Sequence, residues 1–136
     1  MKITKLLQIV CLLMCIGISP MKSQDLKFGE DKKFKIVQFT DVHWKADSIA
    51  SEEAGERMGE VLDAEKPDLV IFTGDVIFGK PADKSMRCAL EPTIKRGIPF
   101  AVTFGNHDDE LGMSRKELYD FIKDMAVCSM FAKIET

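Results

Sequence analysis

A parallel α/β sheet in the order βαβαβα is the fold class that this sequence predicts, and three observations predict it. Short runs rich in β-branched and aromatic residues occur three times, stretches of helical periodicity separate them, and each run ends in a polar cluster of Asp, Asn and His. Strand–helix–strand units close into a parallel sheet through right-handed crossovers, so all three strand ends should fall on one edge. In open sheets of this kind, that edge is where ligands bind.

The N-terminus stands apart from the pattern. Lys2 and Lys5 precede an apolar stretch from Leu6 to Ile18 broken only by Gln8, and polar residues follow from Ser19. This is the layout of a signal peptide over residues 1–23, with cleavage expected near Ser23. The stretch falls short of the roughly 20 residues that a membrane span needs, so no stable membrane insertion is expected after cleavage. Cys11 and Cys15 make a lipid anchor the rival reading, although Val10 and Met14 before them are bulkier than the residue that should precede a lipidated cysteine. Either way the protein is expected to be exported, to a periplasm, a cell surface or the medium.

Removing residues 1–23 takes away Lys2, Lys5 and Lys22 and no acid, so a formal charge of -3 becomes -6 over the 113 residues that remain. A nucleic-acid or anionic-membrane binder would show a basic face, so no nucleic-acid partner is expected. An anionic substrate would then be held by bound cations rather than by a field of lysines. That length suits one domain. Cys88 and Cys128 allow one disulfide in an oxidising compartment, but two small buried hydrophobes is the simpler reading. Oligomeric state leaves no mark on the sequence.

From Gln24 to Lys33 the chain is a polar lead, and the first strand is expected over Phe34–Thr40. A helix follows, with Ala50, Ala54, Met58, Val61 and Leu62 on one face. The second strand, Asp68–Thr73, and the third, Ile98–Phe104, are almost continuously apolar, as strands covered on both faces should be. Pro99 opens the third strand, where a missing N–H is tolerated. Met86, Ala89, Leu90, Thr93 and Ile94 line the second helix, which Pro92 should bend or split near Leu90 before Gly97 stops it. Ser114 and Glu117 form a capping box for the last helix, with Leu118, Phe121, Ile122 and Met125 at helical spacing.

The polar clusters carry the chemistry. They are Asp41-Val42-His43, Gly74-Asp75 and Gly105-Asn106-His107-Asp108, and they hold both histidines of the chain. Carboxylate oxygen and imidazole nitrogen suit a divalent metal. Asp41 and His43, two apart in an extended segment, share a face and can reach one metal while Val42 turns inward. Gly74 and Gly105 let the chain turn sharply, so that Asp75 and Asn106 can stand centrally. Asp108 is placed to orient the His107 ring or hold it charged, and a histidine held so can bind phosphate or protonate a leaving group. Taken singly, each residue has an ordinary explanation as a loop cap or turn. Three such clusters, with 34 and then 31 residues from Asp41 to Asp75 to Asn106, recur about once per βα unit and point to one site.

The segments Gln38–His43, Phe72–Gly79 and Thr103–Glu110 resemble the first three signature blocks of the calcineurin-like metallophosphoesterases, in the branch akin to purple acid phosphatases. The likeness runs from about Phe34 to Met125. It implies a four-layer α/β/β/α sandwich of which this βαβαβα sheet is the first half, residues 34–136 being the N-terminal part of the domain. It also implies a phosphate ester as substrate and two divalent or mixed-valence ions of Fe, Mn or Zn. Asp41, His43 and Asp75 would hold the first ion, Asp75 would bridge, and Asn106 would bind the second. His107 would assist phosphate binding and leaving-group protonation, with a water activated by the cations as nucleophile.

Two departures qualify the likeness. Purple acid phosphatases have a tyrosine three residues after the bridging aspartate, where this chain has Phe78, so the coloured ferric site is not expected. The family completes its site with later histidines in Gly-His and Gly-His-x-His blocks, which this chain lacks. The chain is therefore expected to be an incomplete fragment, weakly active by itself. A phosphodiesterase or nuclease of the same family is one alternative, and a non-catalytic exported α/β binding domain is another. Trp44 suits stacking on a substrate as well as packing under the following helix.

Overall fold

The three apolar runs form β1 (Ile36–Phe39), β2 (Leu69–Thr73) and β3 (Phe100–Thr103), and the periodic stretches form α1 (Ile49–Glu65), α2 (Ala82–Ile94) and α3 (Arg115–Lys123). A computed structural model describes residues 26–123 and 125. The signal-peptide expectation and Cys128 lie outside them. The sheet is parallel in the order β1-β2-β3, with Val37 beside Val70 beside Phe100 and Phe39 beside Phe72 beside Val102. These six residues belong to one core with Met58, Leu62, Met86, Ala89, Leu90, Leu118 and Ile122, which places the helices on their face of the sheet. Burying a large apolar side chain here stabilises the fold by about 1.5–3 kcal/mol, and Phe72 and Phe100 are fully buried.

The opposite face carries Gln38, Ile71, Ala101, Thr73 and Thr103, none of which joins that core. Gln38 Nε2 donates to Thr73 Oγ1 across 2.8 Å. Among the described residues, the helices cover one side of the sheet, and on the other side Leu69 is buried. Ile71 and Ala101 on that face are half-buried.

Each strand is shorter than its apolar run. Pro99 has no N–H, and although its carbonyl accepts from Val70 at 2.9 Å, the ladder proper begins at Phe100. Lys66 closes α1 with a left-handed φ of 47° and an N–H to the Leu62 carbonyl, and Pro67 behind it blocks continuation.

The buried stripe of α1 differs from the expected one. It runs through Ser51, Gly55, Met58, Gly59 and Leu62, while Val61 is exposed. Two glycines account for the shift. A Cβ on Gly55 would lie 2.7 Å from the Trp44 ring, and one on Gly59 would lie 2.9 Å from Arg96 Nη2. Small residues mark this contact, where a search for apolar spacing finds only bulk. Pro92 does not split α2, which continues to Ile94. Lying in the last turn, it forfeits a single helical hydrogen bond, and its ring packs toward Gly55. The capping box of α3 forms as expected: Ser114 Oγ donates to Glu117 Oε2 at 2.7 Å and the Ser114 N–H at 2.8 Å.

Candidate metal centre

All three polar clusters emerge on the carboxyl edge of the sheet, and the first two stay paired beyond the strands. Asp41 N donates to the Gly74 carbonyl, His43 N to that of Asp75 and Trp44 N to that of Val76, and Phe78 N returns a bond to Trp44. Along this extension Asp41, His43 and Asp75 adopt left-handed φ of 52°, 49° and 49°. Non-glycine residues seldom hold that conformation, at a cost of about 1–3 kcal/mol each, and they do so mainly at sites where surrounding structure over-determines them. Here the inter-strand bonds fix the backbone while the side chains leave the sheet.

His43, Asp75 and His107 converge, each offering a ligand atom within 4.8 Å of the other two. His43 Nε2 lies 3.6 Å from Asp75 Oδ2, and the two imidazole centroids are 5.6 Å apart. Two nitrogens and a carboxylate at this spacing fit a divalent cation of the Mn, Fe or Zn type. Asp75 is the centre of the group. Its Oδ1 accepts from the His107 N–H at 3.0 Å, and its side chain is only 14 % exposed. The seat is tight, because a Cβ on Gly105 would stand 2.1 Å from Asp75 Oδ1 and 2.5 Å from its backbone nitrogen.

The remaining expected residues sit differently. Asp41 reaches the same edge but its carboxylate is outside the converging trio and accepts from Thr40 Oγ1 at 2.6 Å. Asn106 is exposed on the loop between Gly105 and His107. Asp108 is fully buried, taking the Ile77 N–H at 3.0 Å on one oxygen and the Gly105 N–H at 2.7 Å on the other. The expectation that Asp108 orients the His107 ring is corrected. Its carboxylate is turned inward by those two N–H groups, and Glu110 Oε2 meets His107 Nδ1 at 3.0 Å instead. The Glu110 hydrogen bond is the main reason that the His107 pKa is raised above the ordinary histidine value. Desolvation works against it, and the charges of Glu110, Asp75 and Asp108 add to it.

Three further residues shape the site. Phe78 touches both histidines, with centroids 5.7 Å from His43 and 4.9 Å from His107. Arg115 braces the third cluster, donating from Nη2 to the Gly105 carbonyl at 2.9 Å and from Nε to Asp109 at 3.0 Å. Neither Glu110, three residues after His107, nor Arg115 was singled out by the sequence. Trp44, by contrast, is 6 % exposed and packs against α1 at Gly55, so it is a core residue and not a stacking platform.

A family model described as calcineurin-like phosphoesterase matches residues 34–133. Among curated proteins, the chain is 34% identical to one named probable inactive purple acid phosphatase 29 from Arabidopsis thaliana, over 81% of this chain and 34% of that protein. It is 36% identical to a Saccharomyces cerevisiae protein named phosphatase DCR2, over 76% of this chain and 21% of the relative. A Bacillus subtilis protein named uncharacterized metallophosphoesterase YkuE is 33% identical over 65% of this chain and 30% of its own length. The chain thus spans about a third or less of the length of these relatives. No solved structure gives a significant match.

Proposed function

Because the chain belongs to the calcineurin-like phosphoesterase family, we propose that the full-length protein is a metal-dependent hydrolase of phosphate esters, with Asp41, His43 and Asp75 holding one cation and Asp75 and Asn106 a second. The observation that carries this reading is the convergence of His43, Asp75 and His107 from three separate strand ends. Bound cations would supply Lewis-acid polarisation of the phosphoryl group and an activated water at neutral pH.

The chain's own residues do the rest. The left-handed turns at Asp41, His43 and Asp75 aim donors away from the sheet, and Gly105 and the His107 N–H fix the Asp75 carboxylate. With Nδ1 engaged by Glu110, His107 keeps Nε2 for the substrate and not for a cation, and delivers a proton to the departing alkoxide oxygen. Phe78, standing where a purple acid phosphatase has tyrosine, supplies an apolar wall and no phenolate, so mixtures of Fe, Mn or Zn without colour are the expected occupants. Residues 1–23 direct export, and no described helix is long and apolar enough to cross a membrane.

The test uses the full-length protein with Mn, comparing p-nitrophenyl phosphate with bis-p-nitrophenyl phosphate and the wild type with Asp75→Asn. Metal-dependent turnover that Asp75→Asn largely abolishes, with an unchanged unfolding midpoint, is expected; near-normal activity in the variant would refute the bridge. Faster hydrolysis of the diester would favour the diesterase alternative. The second reading, a metal-binding domain without turnover, draws support from relatives whose names include the word inactive. It requires Mn binding with neither ester cleaved.

A further inference from the structure

We propose that Lys45 is a substrate-binding cation at the rim of this centre, selecting phosphate compounds that carry a second anionic group, such as diphosphates; this rests on the phosphoesterase reading above. Lys45 follows the His43-Trp44 pair directly, and its ammonium stands 5.1 Å over the centroid of Phe78. Phe78 is the same ring that contacts His43 and His107, so one exposed aromatic joins the ammonium to both imidazoles. The ammonium forms no ion pair or hydrogen bond with a described residue, whereas Lys84, Arg96 and Arg115 each pair with a carboxylate. A lysine without a carboxylate partner, parked over an aromatic face, keeps its charge free for an incoming anion.

The backbone beneath it is built to hold that position. Lys45 N donates to Ser51 Oγ at 3.0 Å, and Ala46 N to Ser85 Oγ at 3.1 Å. Ser85 Oγ in turn donates to the Gly79 carbonyl at 3.0 Å. A Cβ on Gly79 would lie 2.5 Å from Lys45 Cα, so glycine is required there for the two segments to touch. The loop carrying Lys45 is thus locked to the loop carrying Phe78. Cations at the His43–Asp75–His107 centre would offset the charge of the reacting phosphate. A further positive charge outside that centre has work only on a substrate that brings more negative charge than one phosphate holds.

The test is calorimetric titration of the Mn-loaded full-length protein with imidodiphosphate, a diphosphate that resists hydrolysis, and with inorganic phosphate. Lys45→Met, which keeps the apolar stem over Phe78, should weaken imidodiphosphate binding about tenfold, as loss of one charge-assisted contact implies. Phosphate affinity should shift less than about twofold, and Lys45→Arg should recover most of the diphosphate affinity. Equal weakening toward both anions, or no weakening toward either, overturns the inference while leaving the phosphoesterase reading in place. Failure of the wild type to bind Mn overturns both.

Discussion

Gly105→Ala tests how much of the centre depends on the close seating of Asp75. The added Cβ would lie 2.1 Å from Asp75 Oδ1, 2.5 Å from Asp75 N and 2.8 Å from Asp75 Cγ. A rotamer change alone cannot relieve this, because one of the three atoms belongs to the backbone. Overpacking a site of this kind costs about 1–3 kcal/mol. Moving the carboxylate also stretches its hydrogen bond from the His107 N–H, a charge-assisted bond of about 1.5–3 kcal/mol. The two overlap, since one displacement causes both, and a total of about 2–4 kcal/mol is expected. Urea unfolding followed by the fluorescence of Trp44, the single tryptophan and a buried one, measures it. Gly97→Ala is the control. Its Cβ meets nothing within 4 Å, so it reports only the cost of a left-handed φ of 64°, about 1–2 kcal/mol. Mn affinity should fall in Gly105→Ala and hold in Gly97→Ala. Equal destabilisation by the two substitutions, or unchanged Mn binding in Gly105→Ala, would refute the argument that glycine is there to seat Asp75.

Two other predictions separate the roles of neighbouring carboxylates. Asp108→Asn should destabilise the protein by about 2–3 kcal/mol, because an amide can accept only one of the two N–H groups and turns a donor toward the other; unchanged stability with lost turnover would instead make Asp108 a reacting group. Glu110→Gln should lower the His107 pKa toward the ordinary 6.5, read by NMR titration of the metal-free protein, since the Glu110 hydrogen bond is the largest cause raising it. The sign for stability follows from that shift: the pair's contribution is complete below the unfolded histidine value and is lost as pH rises through the raised folded one. A wild-type unfolding midpoint that gained on Glu110→Gln as pH rose would contradict it.

The sheet was legible because its signals are local and redundant. β-branched runs, a Ser114-x-x-Glu117 cap and a Gly or Pro at the ends of β2 and β3 agree with one another, and agreement across levels is what specifies a fold. The burial of α1 was not legible, since Gly55 and Gly59 matter for what presses against them, a Trp from the β1 loop and an Arg after α2. Within the centre, residue types at strand ends located His43, Asp75 and His107. Which carboxylate faces the His107 ring was not readable, because Asp108 and Glu110 are both close in sequence and only the hydrogen-bond demand of Ile77 and Gly105 decides between them.

That demand also explains how a strained edge stays ordered. Asp41, His43 and Asp75 hold backbone conformations that would relax if released; the segment after β2 grips Asp41 and His43, and the segment after β1 grips Asp75. Gly74 and Asp75 carbonyls take the N–H groups of Asp41 and His43, while Asp108 ties Ile77 of the second cluster to Gly105 of the third. The first two clusters are thus cross-linked by backbone bonds, and the third is tied to them through the Asp108 and Asp75 carboxylates. Donor placement at His43, Asp75 and His107 is accordingly a property of the βαβαβ frame itself, and removing the Asp108 link should loosen the third cluster from the other two.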